Sequence, residues 1–369
     1  MKVLFLTQFS EISGTSRIHV LQFLPLLRKR GITCTSRHFY SDGFYRIMFD
    51  LVKINRFSKA VNFVYHISLG MLKKLWYIRL AGNYDAVFLQ REVFPGLWRQ
   101  LLKNRNPRII YEIEDAVFEV NPIYRKRGLI YFWAVNYQAR LISPMIRSAA
   151  WVIAENEYLA EYSRKFNDKV TIISCPIDTN YFLPAPERVS EVVTIGWLGS
   201  PLTTYLLKVL DPVFIKLAQK YGDKTRIMTI GAADDYDLAG VNLVRKRWNL
   251  ATQVADLQEF DIGLMPLDNS PFNKGRLGGK MMQYMSIGIP IVAANVGLNP
   301  TVIRSGFNGY LAGNVDEWVD RLSLLIESRE LRKNLGENGR LEVVKNYDIN
   351  KQADLIAEII TRVGHSTVK

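Results

Sequence analysis

Residues 261–300, DIGLMPLDNSPFNKGRLGGKMMQYMSIGIPIVAANVGLNP, leave this chain few ways to fold. The apolar run 262–267 is short and sealed by Asp268-Asn269-Ser270-Pro271, which predicts a buried strand ending in a loop. A basic, glycine-rich loop follows, Lys274-Gly275-Arg276-Leu277-Gly278-Gly279-Lys280. A short helix over 281–287 then stops at Gly288, and Pro290 opens a second buried strand, IPIVAA. Strand, loop, helix and strand make one turn of a parallel α/β sheet, whose loops at the strand carboxyl ends hold ligands. Three cations and three glycines at the entrance of a helix suit a phosphate. A solvated loop punctuated by helix-stopping glycines is the competing reading.

At 369 residues the chain is expected to form two domains. With 48% hydrophobic and 22% charged residues it has the composition of a folded protein. Cys34 and Cys175 stand far apart, outside any CxxC pair, and read as reduced core thiols in a cytosolic protein. The four histidines show no metal-ligand spacing, so no dedicated metal site is expected. No secretory signal is expected, because the strand at 2–7 is too short and runs into polar residues. No run reaches the roughly 18–20 apolar residues of a spanning helix.

The net charge of +13 is unevenly placed. Residues 1–185 carry 26 Lys/Arg and 14 Asp/Glu (26 − 14 = +12), and residues 186–369 carry 22 and 21 (22 − 21 = +1). Residues 43–80 concentrate the excess: Arg46, Lys53, Arg56, Lys59, Lys73, Lys74 and Arg79 against Asp50, among aromatic and aliphatic residues. A helix with cations flanking an apolar stripe lies in an anionic membrane surface. Packed on the sheet with its lysines outside, the same helix would be ordinary. No nucleic-acid motif accompanies the basic surface, and no nucleic-acid partner is expected.

In the first half, VLFLT (3–7) predicts a strand and 15–30 one helix with apolar residues at Ile18, Leu21, Leu24 and Leu27. Gly14 and Arg17 fall at the turn between them, where backbone amides and the guanidinium would meet an anion, although such turns also form for purely structural reasons. Strands follow at 32–39, YDAVFLQRE, PRIIYEIEDAVF and WVIAENEYL. Glu112, Glu114 and Asp115 close one of these, placed to bind hydroxyls of a polar ligand, or, for Asp115, to cap the next segment. Glu155 and Asn156 close another. The stretch Pro184-Ala185-Pro186-Glu187 predicts a linker. In the second half, VVTIGWLGS ends in Gly199-Ser200, and RIMTIGA and NLVRKRW, closed by Trp248, are further strands. RELRKNLGENGRLEVVKN predicts a helix pair broken at Gly336 and Gly339, and a last helix runs from near Asp348.

This series resembles the family-4-type retaining glycosyltransferases of the GT-B fold (glycosyl transferases group 1) over nearly the whole chain. The carriers are SGTSRIHVLQFLPLLRKRGI, YDAVFLQRE, IIYEIEDAVF, TIGWLGSPLTTYL and above all FDIGLMPL…KGRLGGKMMQYMSIGIPIVAANVGLNPTVI…GFNGYLA, with EWVDRLSLLIES and LRKNLGENGR downstream. The resemblance implies an α/β protein of two Rossmann-like domains facing across a cleft. It places an acceptor-side domain at 1–184, a donor-binding domain at 188–347, and a terminal helix, 348–369, crossing back onto the first.

The implied activity is transfer of a sugar from a nucleoside-diphosphate sugar to a lipid-linked or cell-envelope glycan acceptor, with retention and without a metal or other cofactor. Lys274, Arg276 and Lys280 would stabilise the diphosphate, and Glu114 or Asp115 would orient the acceptor. Donor contacts would come from Gly14, Arg17, Gly199, Ser200, Trp248, Gly275, Gln283 and Tyr284. Two departures stand out. The family's paired glutamates fall here on Gly275 and Gln283; glutamine can still bind a ribose diol, whereas glycine offers no sugar contact. Where the family shows a basic residue after the glycine turn, this chain has Thr203 and Thr204, whose hydroxyls would have to serve. His19 matches a helix position that is either near the donor or packed inside. The expected location is cytoplasmic, peripheral on the inner membrane face. A non-catalytic scaffold of a polysaccharide assembly complex is the alternative, and a nucleotide-sugar epimerase a third reading that four scattered histidines support little.

Overall fold

The computed structural model describes residues 1–49, 52, 54–119, 129–186, 190–276 and 278–366. The chain divides into two units: Met1–Pro176 with Lys274–Leu277 and Ile349–Lys369, and Ile177–Asn273 with Gly278–Asp348. It passes between them at Pro176–Ile177, ahead of the proline stretch that begins at Pro184. Asp50, Lys53 and Glu187 lie outside the described residues.

The first unit is built on six parallel strands, β1 (Lys2–Thr7), β2 (Thr33–His38), β3 (Ala86–Gln90), β4 (Ile109–Ile113), β5 (Trp151–Ala154) and β6 (Val170–Ile172), in the order β2-β1-β3-β4-β5-β6. Successive strand residues point to opposite faces, and both faces are covered, so these strands read as unbroken apolar runs. Leu4, Leu6, Val87, Leu89, Tyr111 and Ile113 pack on one side with the helix Arg56–Ala81. Val3, Phe5, Phe88, Ile110 and Ile153 pack on the other, with Ile356, Ile359 and Ile360 of the helix Ile349–Gly364.

The second unit holds β7 (Val193–Leu198), β8 (Thr225–Ile230), β9 (Leu243–Lys246), β10 (Ile262–Met265), β11 (Ile291–Ala294) and β12 (Tyr310–Ala312), all parallel, ordered β12-β11-β10-β7-β8-β9. Chain order reverses between β1 and β3 in one sheet and between β7 and β10 in the other. Such reversals open the crevice in which doubly wound sheets take ligands.

Several expectations need correction. Residues 15–30 are not one helix but Gly14–His19, a tight turn Leu21–Phe23, and Leu24–Lys29. Pro25 sits in the first turn of the last piece, where its missing N–H costs nothing; a continuous helix would need that donor. Residues 329–346 form one helix, Arg329–Asn346, with Gly336 and Gly339 buried inside it. A Cβ at Gly336 would lie 2.0 Å from the Gly288 carbonyl oxygen, so this glycine marks a close backbone approach and not a break. Asp115 caps no described helix; it occupies a left-handed conformation, φ 51°. No described helix is long and apolar enough to cross a membrane.

Candidate functional site

At the carboxyl edge of the first sheet, side-chain parity gathers polar residues on one face. Glu112 follows Ile110 by two positions, Glu155 follows Ile153, and Gln90 follows Phe88, so all three leave the sheet on the face that Phe88, Ile110 and Ile153 share. Gln90 and Glu112 are partners across the β3–β4 ladder. His19, the last residue of the helix Gly14–His19, lies among them. Its Nδ1 is 3.0 Å from Glu112 Oε1 in a hydrogen bond, and its Nε2 is 3.4 Å from Glu114 Oε2. Glu155 Oε1 approaches Nδ1 to 2.6 Å, off the N–H direction and without a hydrogen bond.

His19, Glu112, Glu114 and Glu155 are exposed by 3%, 4%, 1% and 0%. Burial pushes the Glu114 carboxyl up to about 7, against the opposing pull of His19 and Arg91. Burial also pushes Glu155 well up, helped by the nearby Cys175 thiol and the neighbouring carboxylates. For His19 burial works downward, but the charges of Glu114 and Glu112 outweigh it and the net direction is up. Glu114 is thus enclosed, facing His19 and, at 3.6 Å, Arg91. The half-buried Asp115, 3.7 Å from Arg91, is the most exposed of these carboxylates.

Arg17 turns back on its own loop and donates to the carbonyls of Glu11 (2.6 Å) and Ile12 (3.3 Å), beside Gly14. Glu92 is another buried carboxylate, and it has partners: Lys74 Nζ at 2.7 Å, Gln8 Nε2 at 3.1 Å and the Tyr40 hydroxyl at 3.3 Å. Lys74 is consequently not a surface cation, contrary to the sequence expectation. Lys73 is half-buried and donates to the His38 carbonyl.

The helix Arg56–Ala81 instead presents apolar side chains to solvent: Phe57, Val61, Val64, Tyr65, Leu72, Leu75 and Trp76. At 100° per residue they fall within an arc of about 120°. They share one face of the helix, with the exposed Ser68 and Arg79 among them.

In the second unit Gly199 and Ser200 follow β7 at the reversal point. A Cβ at Gly199 would meet the Trp197 ring at 1.8 Å, so the backbone there is bare of necessity. Lys280 Nζ stands 5.0 Å from the centroid of that same ring. Lys280 lies in the first turn of the helix Gly279–Ser286, which begins after Gly278. Gln283, on the same helix, is 8% exposed, and its Oε1 has no hydrogen-bond partner among the described residues. Lys280, Trp197 and Gly199 therefore come together, with Gln283 one turn along.

Other expected contacts fall elsewhere. Tyr284 is fully buried and its hydroxyl accepts from the Leu198 backbone N–H at 2.7 Å, which makes it a core residue and not a ligand contact. The Thr203 and Thr204 hydroxyls both donate to the Ser200 carbonyl, and Thr204 also accepts from the Ala233 N–H. They stiffen the turn, and are not turned toward a phosphate. Trp248 is half-buried just after β9. Lys274 is exposed and Gly275 buried; with Arg276 they group with the first unit, whereas Lys280 and Gln283 belong to the second.

Two doubly wound sheets of six parallel strands, each with a polar reversal point, define the α/β GT-B fold of glycosyltransferases. Residues 261–342 match the family model described as "Glycosyl transferases group 1". The chain is similar over 99% of its length to a glycosyltransferase from Rickettsia africae, covering 99% of that chain at 13% identity and a TM-score of 0.70. It is similar to the sucrose-phosphate synthase of Thermosynechococcus elongatus (TM-score 0.68, 12% identity, 98% of each chain) and to Anabaena HepE solved with UDP-glucose (0.66, 16%, 98% of this chain and 100% of that one). Among curated proteins it is 33% identical over 80 residues to spore coat protein SA of Bacillus subtilis, and 31% identical over 80 residues to the N-acetyl-alpha-D-glucosaminyl L-malate synthase of Bacillus anthracis. Each match spans 21% of this chain and 21% of the relative.

Proposed function

We propose that this chain is a glycosyltransferase that moves a sugar from a nucleoside-diphosphate sugar to a lipid-linked or cell-envelope glycan acceptor, retaining anomeric configuration. The observation that carries the reading is the reversal point of the second sheet. There a side-chain-free turn at Gly199 and a fixed cation at Lys280, in the first turn of the helix Gly279–Ser286, converge next to the segment that matches group 1 transferases. The leaving group is a nucleoside diphosphate. A preorganised ammonium and helix amides stabilise the charge it develops, at no cost of reorganisation during the reaction. Gln283 offers its amide oxygen to a ribose hydroxyl. On the acceptor side Asp115, steadied by Arg91, orients the attacking hydroxyl.

A membrane-held acceptor fits the helix Arg56–Ala81. Seven large apolar side chains in one exposed stripe, with Lys59 and Arg79 on the same helix, form a surface that enters an anionic bilayer interface. Retention comes from the resemblance to group 1 transferases.

The test is calorimetric titration with UDP, GDP and TDP, followed by nucleotide release from the matching sugar donors in the presence of membrane extract. UDP is the first probe, because Anabaena HepE was solved with UDP and with UDP-glucose. Nucleotide binding with turnover supports the enzyme. Binding without turnover favours a non-catalytic scaffold, a reading that rests on Gly275 and Gln283 standing where the family carries acids. Binding of none of the three nucleotides rejects the donor site.

A further inference from the structure

We propose that His19, Glu114 and Glu155 form a divalent-cation site of the zinc type inside the first unit, with Glu112 as the outer carboxylate that fixes the imidazole. The hydrogen bond at 3.0 Å between Nδ1 and Glu112 Oε1 places the ring proton on Nδ1, because the carboxylate can only accept. Once a metal ion displaces the proton from the other nitrogen, Nε2 is the lone-pair donor. It faces Glu114 Oε2 at 3.4 Å, and neither atom has a hydrogen-bond partner among the described residues. Two ligands on a tetrahedral ion with bonds of about 2.0–2.1 Å lie roughly 3.3–3.4 Å apart, so the pair already has ligand spacing. Glu155 adds Oε2, which has no hydrogen-bond partner among the described residues, while its Oε1 lies against Nδ1 at 2.6 Å; one ligand atom from each of the three residues lies within 4.8 Å of the others. A carboxylate behind a metal-binding histidine is a recurrent means of fixing tautomer and ring orientation.

Gln90 points to the same ligand independently. It is 1% exposed, both of its amide atoms lack partners among the described residues, and it leaves the sheet on the cluster's face beside Glu112. It can serve as a further oxygen donor or hold a metal-bound water. The contrast with Glu92 is informative. That buried carboxylate has an ammonium, an amide and a phenol, whereas three carboxylates here share one imidazole and the margin of Arg91. Like charges buried together are relieved by protons or by a counter-charge, and a divalent ion supplies the latter. One imidazole nitrogen with carboxylate oxygens suits zinc better than magnesium or calcium. The ligands are enclosed, so the ion ties the helix Gly14–His19 to the ends of β4 and β5 and is structural. It is separate from the proposed donor site, which lies in the other unit.

The experiment uses the full chain, stripped with EDTA, incubated with zinc chloride and passed through gel filtration. Metal analysis is expected to find about one zinc per chain, with a melting temperature several degrees above that in EDTA. Glu155→Gln and Glu114→Gln are expected to retain at least roughly tenfold less zinc. Less than about a tenth of an equivalent in the unmodified chain, with equal melting in zinc and EDTA, overturns the proposal: protons then neutralise the cluster. Zinc retained undiminished by both glutamine variants overturns it as well, since the metal lies elsewhere. So does magnesium stabilising the chain as well as zinc, because the imidazole would then have no part. If a glutamine variant does not fold, the unmodified chain decides alone.

Discussion

Lys74 Nζ lies 2.7 Å from Glu92 Oε1, and both side chains are almost completely shielded from water. Removing one partner of such a pair leaves the other charge buried. Lys74→Ala is therefore expected to lower stability by about 3–5 kcal/mol in urea titration. Lys74→Met combined with Glu92→Gln should recover part of that loss, because no charge is then stranded.

Two glycines in one helix should respond in opposite directions. At Gly336 an added methyl would meet a backbone carbonyl at 2.0 Å, and neither chain can yield cheaply. Gly336→Ala should destabilise by about 2 kcal/mol or more. At Gly339 the nearest atoms are 3.5 Å away, so Gly339→Ala fits and should raise stability by up to about 1 kcal/mol from helix propensity. Thermal melts of the two variants check this.

The apolar stripe predicts which changes abolish membrane attachment. Phe57→Ser with Leu72→Ser should weaken cosedimentation with anionic vesicles roughly tenfold or more while leaving the melting temperature unchanged, because both side chains are largely in solvent. Equal binding by this variant and the unmodified chain would detach the helix from the membrane reading. Charge reversal at Lys74 is no test of attachment, since that lysine is part of the core.

Lys280→Gln removes the cation over Trp197. Nucleoside-diphosphate affinity should fall about tenfold, while affinity for the nucleoside alone stays the same. Parallel titrations with diphosphate and nucleoside separate charge recognition from general damage to the site.

Ten of the twelve described strands were legible because strands covered on both faces become short apolar runs between polar stops; the three-residue strands Val170–Ile172 and Tyr310–Ala312 are too short to show one. The turn after β7 and the start of the helix Gly279–Ser286 were legible for the same reason, with Gly199 and Lys280 marking strand end and helix start. What sequence order concealed was proximity. Gly336 reads as a break until the carbonyl of Gly288 is found against it. Lys74 reads as one more surface cation until Glu92, from the other end of a strand, meets it. Tyr284 looks like a ligand contact, yet its hydroxyl accepts the Leu198 N–H. The acidic cluster did carry a signal. Gln90, Glu112 and Glu155 each stand two residues beyond a core residue of adjacent strands, and parity alone puts them on one face. His19 joins them through a helix whose pitch the sequence did not set, because the break at Val20 interrupts the apolar period.

The distribution of the first unit along the polypeptide has a practical consequence for anyone wishing to isolate it. A fragment ending at Pro176 would lack Ile349–Gly364, whose isoleucines cover Val3, Phe5, Ile110 and Ile153. One side of its central sheet would be stripped to bare aliphatic and aromatic surface, and the piece would precipitate or recruit chaperones. Dissection at the apparent midpoint therefore yields an incomplete half. Independent production of that half calls for a fusion that restores the missing covering segment in cis.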